Sequence, residues 1–163
     1  MTCGFSLLKD RRASAAAEMA LVLPILLVLL FGSVELGNYF LSEHVVQKAV
    51  RDASRYADRL PVGDYDCGTG TMTDPTPVQK LARTGDPEGT DARLVDWTDD
   101  LMTTVSVVCD TSGRYTGVYA DFPMGVPVVT VTTAVPYTSL FGTMGLGQRL
   151  TLNASQQAAV IGA

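Results

Sequence analysis

The chain has 163 residues, of which 47% are hydrophobic, and its formal net charge at neutral pH is −5. This length suffices for one domain, and any segment that lies in a membrane leaves less chain for a soluble part. Nucleic-acid binding requires clustered Lys and Arg side chains, which an acidic chain of this kind lacks. We therefore predict that the protein has no nucleic-acid partner.

An apolar run near the N-terminus has the length of a membrane span. Residues 19–34 contain no charged side chain, and mostly small and apolar residues extend the run to about 15–36. A helix over this extended range is roughly 30 Å long, which matches the hydrocarbon core of a bilayer. The sequence therefore predicts a transmembrane helix, which we place at residues 14–37.

Basic residues precede the apolar run and predict its orientation. Lys9, Arg11 and Arg12 lie just ahead of it, and positively charged flanks stay on the cytoplasmic side of a membrane. Residues 1–13 are thus expected to form a cytoplasmic leader, and the chain beyond the single span is expected to lie on the outer side.

The apolar run allows two other interpretations. A cleaved secretory signal would require small residues at the two key positions before the cut, whereas a cut before Ser33 would place Leu30 and Gly32 there. A buried core helix would leave the basic leader without a role. A retained membrane anchor fits the pattern best.

The helical pattern continues beyond the span, over residues 38–60. Apolar residues recur there at helical spacing, which predicts one buried stripe. The stripe consists of Val45, Val46, Ala49, Val50, Ala53, Tyr56, Ala57 and Leu60. Pro61 is expected to end the helix, so that Ser14 to Leu60 would form one rod about 70 Å long.

Charged residues occupy the opposite side of this amphipathic extension. Basic and acidic side chains alternate there, which predicts a solvated helix face rather than a binding patch. These residues are Glu43, Lys48, Arg51, Asp52, Arg55, Asp58 and Arg59.

Residues 61–163 are expected to form the head of the protein. Gly, Asp, Thr and Pro predict a loop over 61–92, with a short helix near Val78–Arg83. Strands are predicted at 103–109, 114–120, 126–135 and 149–160. The expected fold class is α+β, with a long N-terminal helix packed on a small antiparallel sheet.

Cys67 and Cys109 both follow the apolar run, whereas Cys3 precedes it. On the outer side of the membrane the first two would meet an oxidising environment and could form a disulfide. The alternative is a pair of free thiols in a cytosolic protein, which the leader disfavours.

Residues suited to catalysis or metal binding are scarce. His44 is the only histidine, so a multi-histidine metal site within one chain is excluded. We interpret Asp99 and Asp100 as a helix cap or solvated turn rather than an acid–base pair. No enzymatic activity, catalytic residue, metal or cofactor is expected.

Residues 11–27 (RRASAAAEMALVLPILL) resemble the N-termini of type IV pilin-like proteins, and they are most similar to TadE-like pseudopilins of the Tad (Flp, tight-adherence) pilus. A Gly-x-x-Glu-Leu-Gly step at Gly32–Gly37 also matches that family. Residues 78–85 and the region from Val128 to Leu140 show weaker similarity.

The resemblance implies processing by a prepilin peptidase. In such proteins the cut leaves a glutamate as the fifth residue of the mature chain, which here places the cut between Ala13 and Ser14 and makes Glu18 that glutamate. The family usually has Gly immediately before the cut, and this chain has Ala13 there.

Two carboxylates, Glu18 and Glu35, lie near the two ends of the predicted span. A carboxylate within a membrane is costly and marks a functional position unless it reaches the headgroups, which is the alternative for Glu35. A cut before Ser14 would create an α-amino group with a pKa near 8. Glu18, one helical turn away, or the same residue of a neighbouring subunit, would neutralise it.

These expectations favour a structural or assembly protein: a minor pseudopilin in the biogenesis of a Tad-type pilus involved in adhesion. Its implied partners are inner-membrane lipid, a prepilin peptidase and other pilins or pseudopilins, with the head in the periplasm. The alternative is a signal-anchored periplasmic binding module that is neither cleaved nor polymerised.

Overall fold

The structure is a computed structural model and describes residues 11–112, 117–120, 125–142 and 150–162. The chain divides into two compact units, Met1–Asn38 and Tyr39–Ala163. Residues 1–10 of the predicted cytoplasmic leader lie outside the described residues. The fold class is α+β, as the sequence predicted, and the helix α1 spans Arg11–Ala57.

Helix α1 contains Pro24 and ends three residues before the predicted end at Leu60. At its C-terminus Asp58 N–H still donates to the Ser54 carbonyl four residues back, as in an α-helix. The next two N–H groups, of Arg59 and Leu60, donate to carbonyls only three residues back. The last turn thus tightens before Pro61, which cannot donate a backbone hydrogen bond and stops the helix.

A three-stranded antiparallel sheet forms the centre of the C-terminal unit. Its strands are β3 (Thr103–Asp110), β4 (Val126–Tyr137) and β5 (Leu150–Ala159), in the order β3-β4-β5. The register pairs Val107 with Val129 across β3 and β4, and Val131 with Gln156 across β4 and β5. These strands match three of the four predicted from the sequence.

The fourth predicted strand, at 114–120, is wrong in its described part. Residues Gly117–Tyr119 form a 3-10 turn, and residues 113–116 lie outside the described residues. Gly117 has a φ of +69°, which an extended strand does not allow. The apolar residues of this stretch therefore do not continue the sheet there.

The core lies between one face of the sheet and the apolar stripe of α1. Inward side chains alternate along β4 with outward ones, as a half-buried strand requires. The helix contributes the fully or almost fully buried residues Val46, Ala49, Val50, Ala53 and Ala57. Trp97 also belongs to this core and has no exposed surface.

The segment between helix and sheet holds three elements: β1 (Tyr65–Asp66), β2 (Thr71–Met72) and α2 (Thr76–Thr84). The β1–β2 hairpin was not predicted. Asp66 organises its turn, because its carboxylate accepts the N–H groups of Gly68 and Thr69. Hydrogen bonds from the Thr69 side chain and from these two N–H groups lower the pKa of Asp66 below its ordinary value.

Cys67 and Cys109 form a disulfide with a Cα–Cα distance of 5.5 Å. The bridge connects the β1–β2 turn to the end of β3. On the same side of the sheet, Val107 N–H donates to the Gly70 carbonyl. Gln79 Nε2 of α2 donates to the Thr103 carbonyl at 2.8 Å. Hairpin and helix α2 together cover the outer edge of β3.

Two contacts fix the C-terminal end of α1. The buried Tyr65 hydroxyl donates to the Ala57 carbonyl, and Ile161 N–H donates to the Asp58 carbonyl at 2.9 Å. Carbonyls at a helix end lack intrahelical partners, so both contacts satisfy groups that the helix leaves open. Burial, together with the negative charges of Asp64 and Asp58, raises the pKa of Tyr65 to about 12.

Replacing Tyr65 by Phe should lower the free energy of unfolding by about 1–2 kcal/mol, because the Ala57 carbonyl loses a buried donor. Between pH about 10 and 12 the folded protein keeps a proton that unfolded Tyr65 has lost. Stability present below pH 10 should therefore fall as the pH rises through this window, and Tyr65→Phe should lack that component.

Urea denaturation at several pH values measures both effects. Tyr56→Phe is the matched control, since no hydrogen bond of the Tyr56 hydroxyl is found among the described residues, and it should change stability by less than about 0.5 kcal/mol. Equal stability of Tyr65→Phe and wild type would contradict the role of the hydroxyl.

Replacing both Cys67 and Cys109 by Ser should reduce the free energy of unfolding by about 3–4 kcal/mol, because the unfolded chain regains the entropy of an open loop. The measurement is thermal and urea unfolding of the protein with and without reductant. Cys3→Ser should have no such effect. If reductant destabilised the double variant as much as it destabilises wild type, the disulfide would not be the cause of the lost stability.

Candidate functional site

The apolar part of α1 is exposed throughout in the N-terminal unit. Its large side chains are between 40% and 73% exposed from Met19 to Leu36. The helix contains an 18-residue window of mean hydropathy 2.4, none of which is buried within the protein. Apolar surface of this extent is not stable in water and marks a membrane or protein contact. The segment is compatible with a single-pass membrane anchor.

Glycines leave two open places on this surface. A side-chain carbon added at Gly32 or Gly37 would meet no atom within 4 Å. The chain's own packing therefore does not require glycine at either position. In membranes, small residues of this kind let neighbouring helices approach closely.

The predicted processing residues lie in the first turns of α1. Ala13 and Ser14 are helical, and the Ser14 hydroxyl donates to a carboxylate oxygen of Glu18 at 3.4 Å. The four-residue spacing puts positions 14 and 18 on the same side of the helix. The carboxylate thus lies one turn from the residue whose nitrogen would become the new N-terminus.

The other acidic residue of the predicted span, Glu35, is half-buried. It lies between Gly32 and Gly37, within the Gly-x-x-Glu-Leu-Gly step that resembles the TadE-like family. Whether it reaches a headgroup region is not tested by the structure and stays a prediction.

The histidine and the two adjacent aspartates that the sequence analysis considered differ in their surroundings. His44 is exposed on α1. Asp99 caps a 3-10 turn by accepting the Leu101 N–H, as predicted, and Asp100 pairs with Arg83 at 2.5 Å. Within the described part of the chain, no group of three or more His, Cys, Asp or Glu side chains could hold a metal ion.

A groove beside strand β5 was not predicted from the sequence. It encloses about 240 Å³ between Gln47, Val50 and Arg51 of α1 and residues 153–156 of β5. The sequence feature that relates to this groove is the lack of charged residues and proline from Leu150 to Ala159. This feature predicts a strand, but only the strand order of the sheet shows that β5 is an edge strand.

Comparison with known proteins supports the interpretation of α1. The family model described as "TadE-like protein" matches residues 13–55. The match begins at the predicted processing site and ends two residues before the end of α1. No curated protein and no solved structure matches the chain. The sequence resemblance is therefore confirmed, and the chain carries a TadE-like segment at residues 13–55.

Proposed function

We propose that the protein is a minor pseudopilin that takes part in the assembly of a Tad/Flp-type adhesion pilus. The carrying observation is that the TadE-like segment coincides with an exposed apolar helix whose first turns hold Ser14 and Glu18 in hydrogen-bonding distance. The match to TadE-like proteins indicates an association with Tad pilus components. The narrower role is argued from the chemistry of the helix.

The first step of the proposed mechanism is removal of the leader. A prepilin peptidase cuts between Ala13 and Ser14 on the cytoplasmic side and leaves a positively charged amine at Ser14. An isolated charge at the edge of a bilayer is costly. The Glu18 carboxylate, one turn along the same helix, balances that charge within one subunit. In an assembly it can balance the amine of an adjacent subunit instead.

The second step is a change of environment for the apolar helix. Lipid of the inner membrane covers the exposed side chains from Met19 to Leu36 before assembly. Apolar helices of other pilins or pseudopilins cover them afterwards, and the open surfaces at Gly32 and Gly37 permit close helix contact. The C-terminal unit then lies on the periplasmic side and contacts neighbouring subunits. In this mechanism the protein acts as a structural component without catalysis.

One observation favours the alternative of an uncleaved periplasmic binding module. Ala13 stands where pilin-like proteins usually have Gly before the cut. A larger residue at this position slows processing if the peptidase requires glycine. In that case the helix remains a simple anchor and the C-terminal unit functions without polymerising.

Mass spectrometry of the protein from membranes separates the two functions. In cells with the prepilin peptidase the mature chain should begin at Ser14, and in cells without it the chain should keep its leader. Ala13→Gly should process at least as fast as wild type, and Ala13→Arg should not be cut. An intact leader in wild-type cells that process other pilins would favour the anchored module.

Replacing Glu18 by Ala should block incorporation into pili or removal of the leader, because the new amine loses its counter-charge. Immunoblotting of sheared pili and of membranes measures both steps. Glu43→Ala is the matched control, since Glu43 lies on the same helix beyond the apolar run and contacts Gln47. Normal processing together with normal incorporation of Glu18→Ala would contradict the proposed pairing of Glu18 with the new amine.

A further inference from the structure

The two edges of the three-stranded sheet differ in their hydrogen bonding. The β3 edge is occupied, because Thr103 C=O accepts from Gln79 and Val107 N–H donates to Gly70. Both residues have odd numbers, as alternation along an antiparallel strand requires for groups that face away from β4. The Cys67–Cys109 disulfide holds the covering hairpin in place.

The β5 edge has the opposite character. Val160 N–H donates to Pro127 C=O at 2.9 Å, and the register continues through Val129↔Ala158 and Val131↔Gln156. Even-numbered residues of β5 therefore face β4, and the backbone groups of odd-numbered residues face outward. The outward residues are Thr151, Asn153, Ser155, Gln157 and Ala159.

The outward backbone groups are almost without partners in the part of the chain that the structure describes. Two carbonyls accept weak local bonds from side chains of the same strand, Thr151 from Asn153 and Gln157 from Gln156, at 3.2 and 3.3 Å. No backbone N–H of the five outward residues donates to another described residue. Edge strands normally carry a charge, a proline or a bulge that prevents pairing, and β5 has no charge and no proline in ten residues.

The groove next to this edge has the form of a site for an added strand. Helix α1 forms one wall and β5 the other, with about 240 Å³ of space between them. A peptide can enter such a groove as an additional strand, where main-chain hydrogen bonds provide affinity and side-chain contacts provide specificity. Arg51 lines the groove and is exposed. Within the described residues, neither the Arg83–Asp100 nor the Arg93–Asp52 ion pair includes Arg51.

A second copy of this chain does not offer a complementary strand within its described residues. Its β5 has no carboxylate for Arg51 and would bring a second Arg51 to the interface. Its β3 edge is already covered by Gln79 and Gly70. The chemistry of the groove therefore calls for a different polypeptide.

We propose that the outer edge of β5 binds an extended strand of a different protein chain, with a carboxylate of that strand beside Arg51. The bound strand becomes the fourth strand of the sheet and hydrogen-bonds to the odd-numbered residues of β5. Its acidic side chain enters the groove between α1 and β5. The α1 residues of this site lie beyond the exposed apolar run of the helix, and the site does not depend on processing at Ser14.

The test uses the purified full-length protein in detergent micelles and four labelled ten-residue peptides of alternating Thr and Val. Each peptide carries one Glu, at one of the four central positions, and a matched set carries Lys instead. Fluorescence anisotropy should show saturable binding of at least one Glu peptide, about three- to fivefold tighter than its Lys counterpart. Arg51→Gln should remove this preference, and Arg55→Gln, which lies outside the groove, should keep it.

Strand pairing itself is tested by removing outward hydrogen bonds. Ser155→Pro should weaken peptide binding at least tenfold relative to Ser155→Ala, because both variants lose the hydroxyl that contacts Thr132 and only the proline also loses the outward N–H. Proline at this position leaves the β4 ladder intact, since the Ser155 N–H faces outward. Methylating alternate peptide amides on one edge should abolish binding to the wild-type protein, which keeps the test valid if Ser155→Pro fails to fold.

Three results would overturn the proposal. The first is a lack of saturable binding by every Glu peptide. The second is binding that survives amide methylation in both registers of alternate residues. The third is a concentration-dependent dimer of the protein that Ser155→Pro disperses, because it would make a second copy the occupant of the edge.

Discussion

The packing of the apolar stripe of α1 against β4 is the interaction on which the C-terminal unit depends. Three strands with one apolar face cannot stay folded in water unless that face is covered. Val46, Ala49, Val50 and Ala53 provide this cover with almost no exposed surface. The contacts of Tyr65 and Ile161 at the helix end attach α1 to the rest of the unit, and the disulfide attaches the hairpin to β3.

The same helix meets two different environments along its length. In its first part the apolar side chains surround the helix and are exposed, which suits lipid or other apolar helices. In residues 39–57 only one stripe is apolar, and it is buried by the sheet. The change from all-round to one-sided hydrophobicity takes place within one uninterrupted helix. The apolar pattern along α1 therefore differs between the two units because the surroundings of its side chains differ.

Much of this architecture could be predicted because it follows from local periodicity. The helix, the three sheet strands and the short helix near Val78 each have a recognisable pattern of apolar residues. The β1–β2 hairpin could not be predicted in this way, because its strands have two residues each and its turn depends on the Asp66 carboxylate. The error at 114–120 came from a pattern that cannot reveal the positive φ of Gly117.

The candidate sites differ in the same respect. Ser14 and Glu18 are four residues apart, so their proximity on a helix could be predicted from spacing alone. The groove at β5 joins Arg51 to residues about a hundred positions later in the chain. No local pattern contains that contact. It depends on strand order and register, which result from the fold as a whole.

Because the β3 edge is covered, a further strand can be added to the sheet at one edge only. A sheet with two open edges can add strands on both sides, so that identical units extend it without limit, as in a fibril of stacked strands. Here Gln79, Gly70 and the hairpin held by Cys67–Cys109 close one side. Within the described structure only the β5 edge can pair with a further strand. The sheet can therefore end a row of paired strands but cannot continue it. The disulfide thus limits strand addition to one edge by holding the cover of the other edge in place.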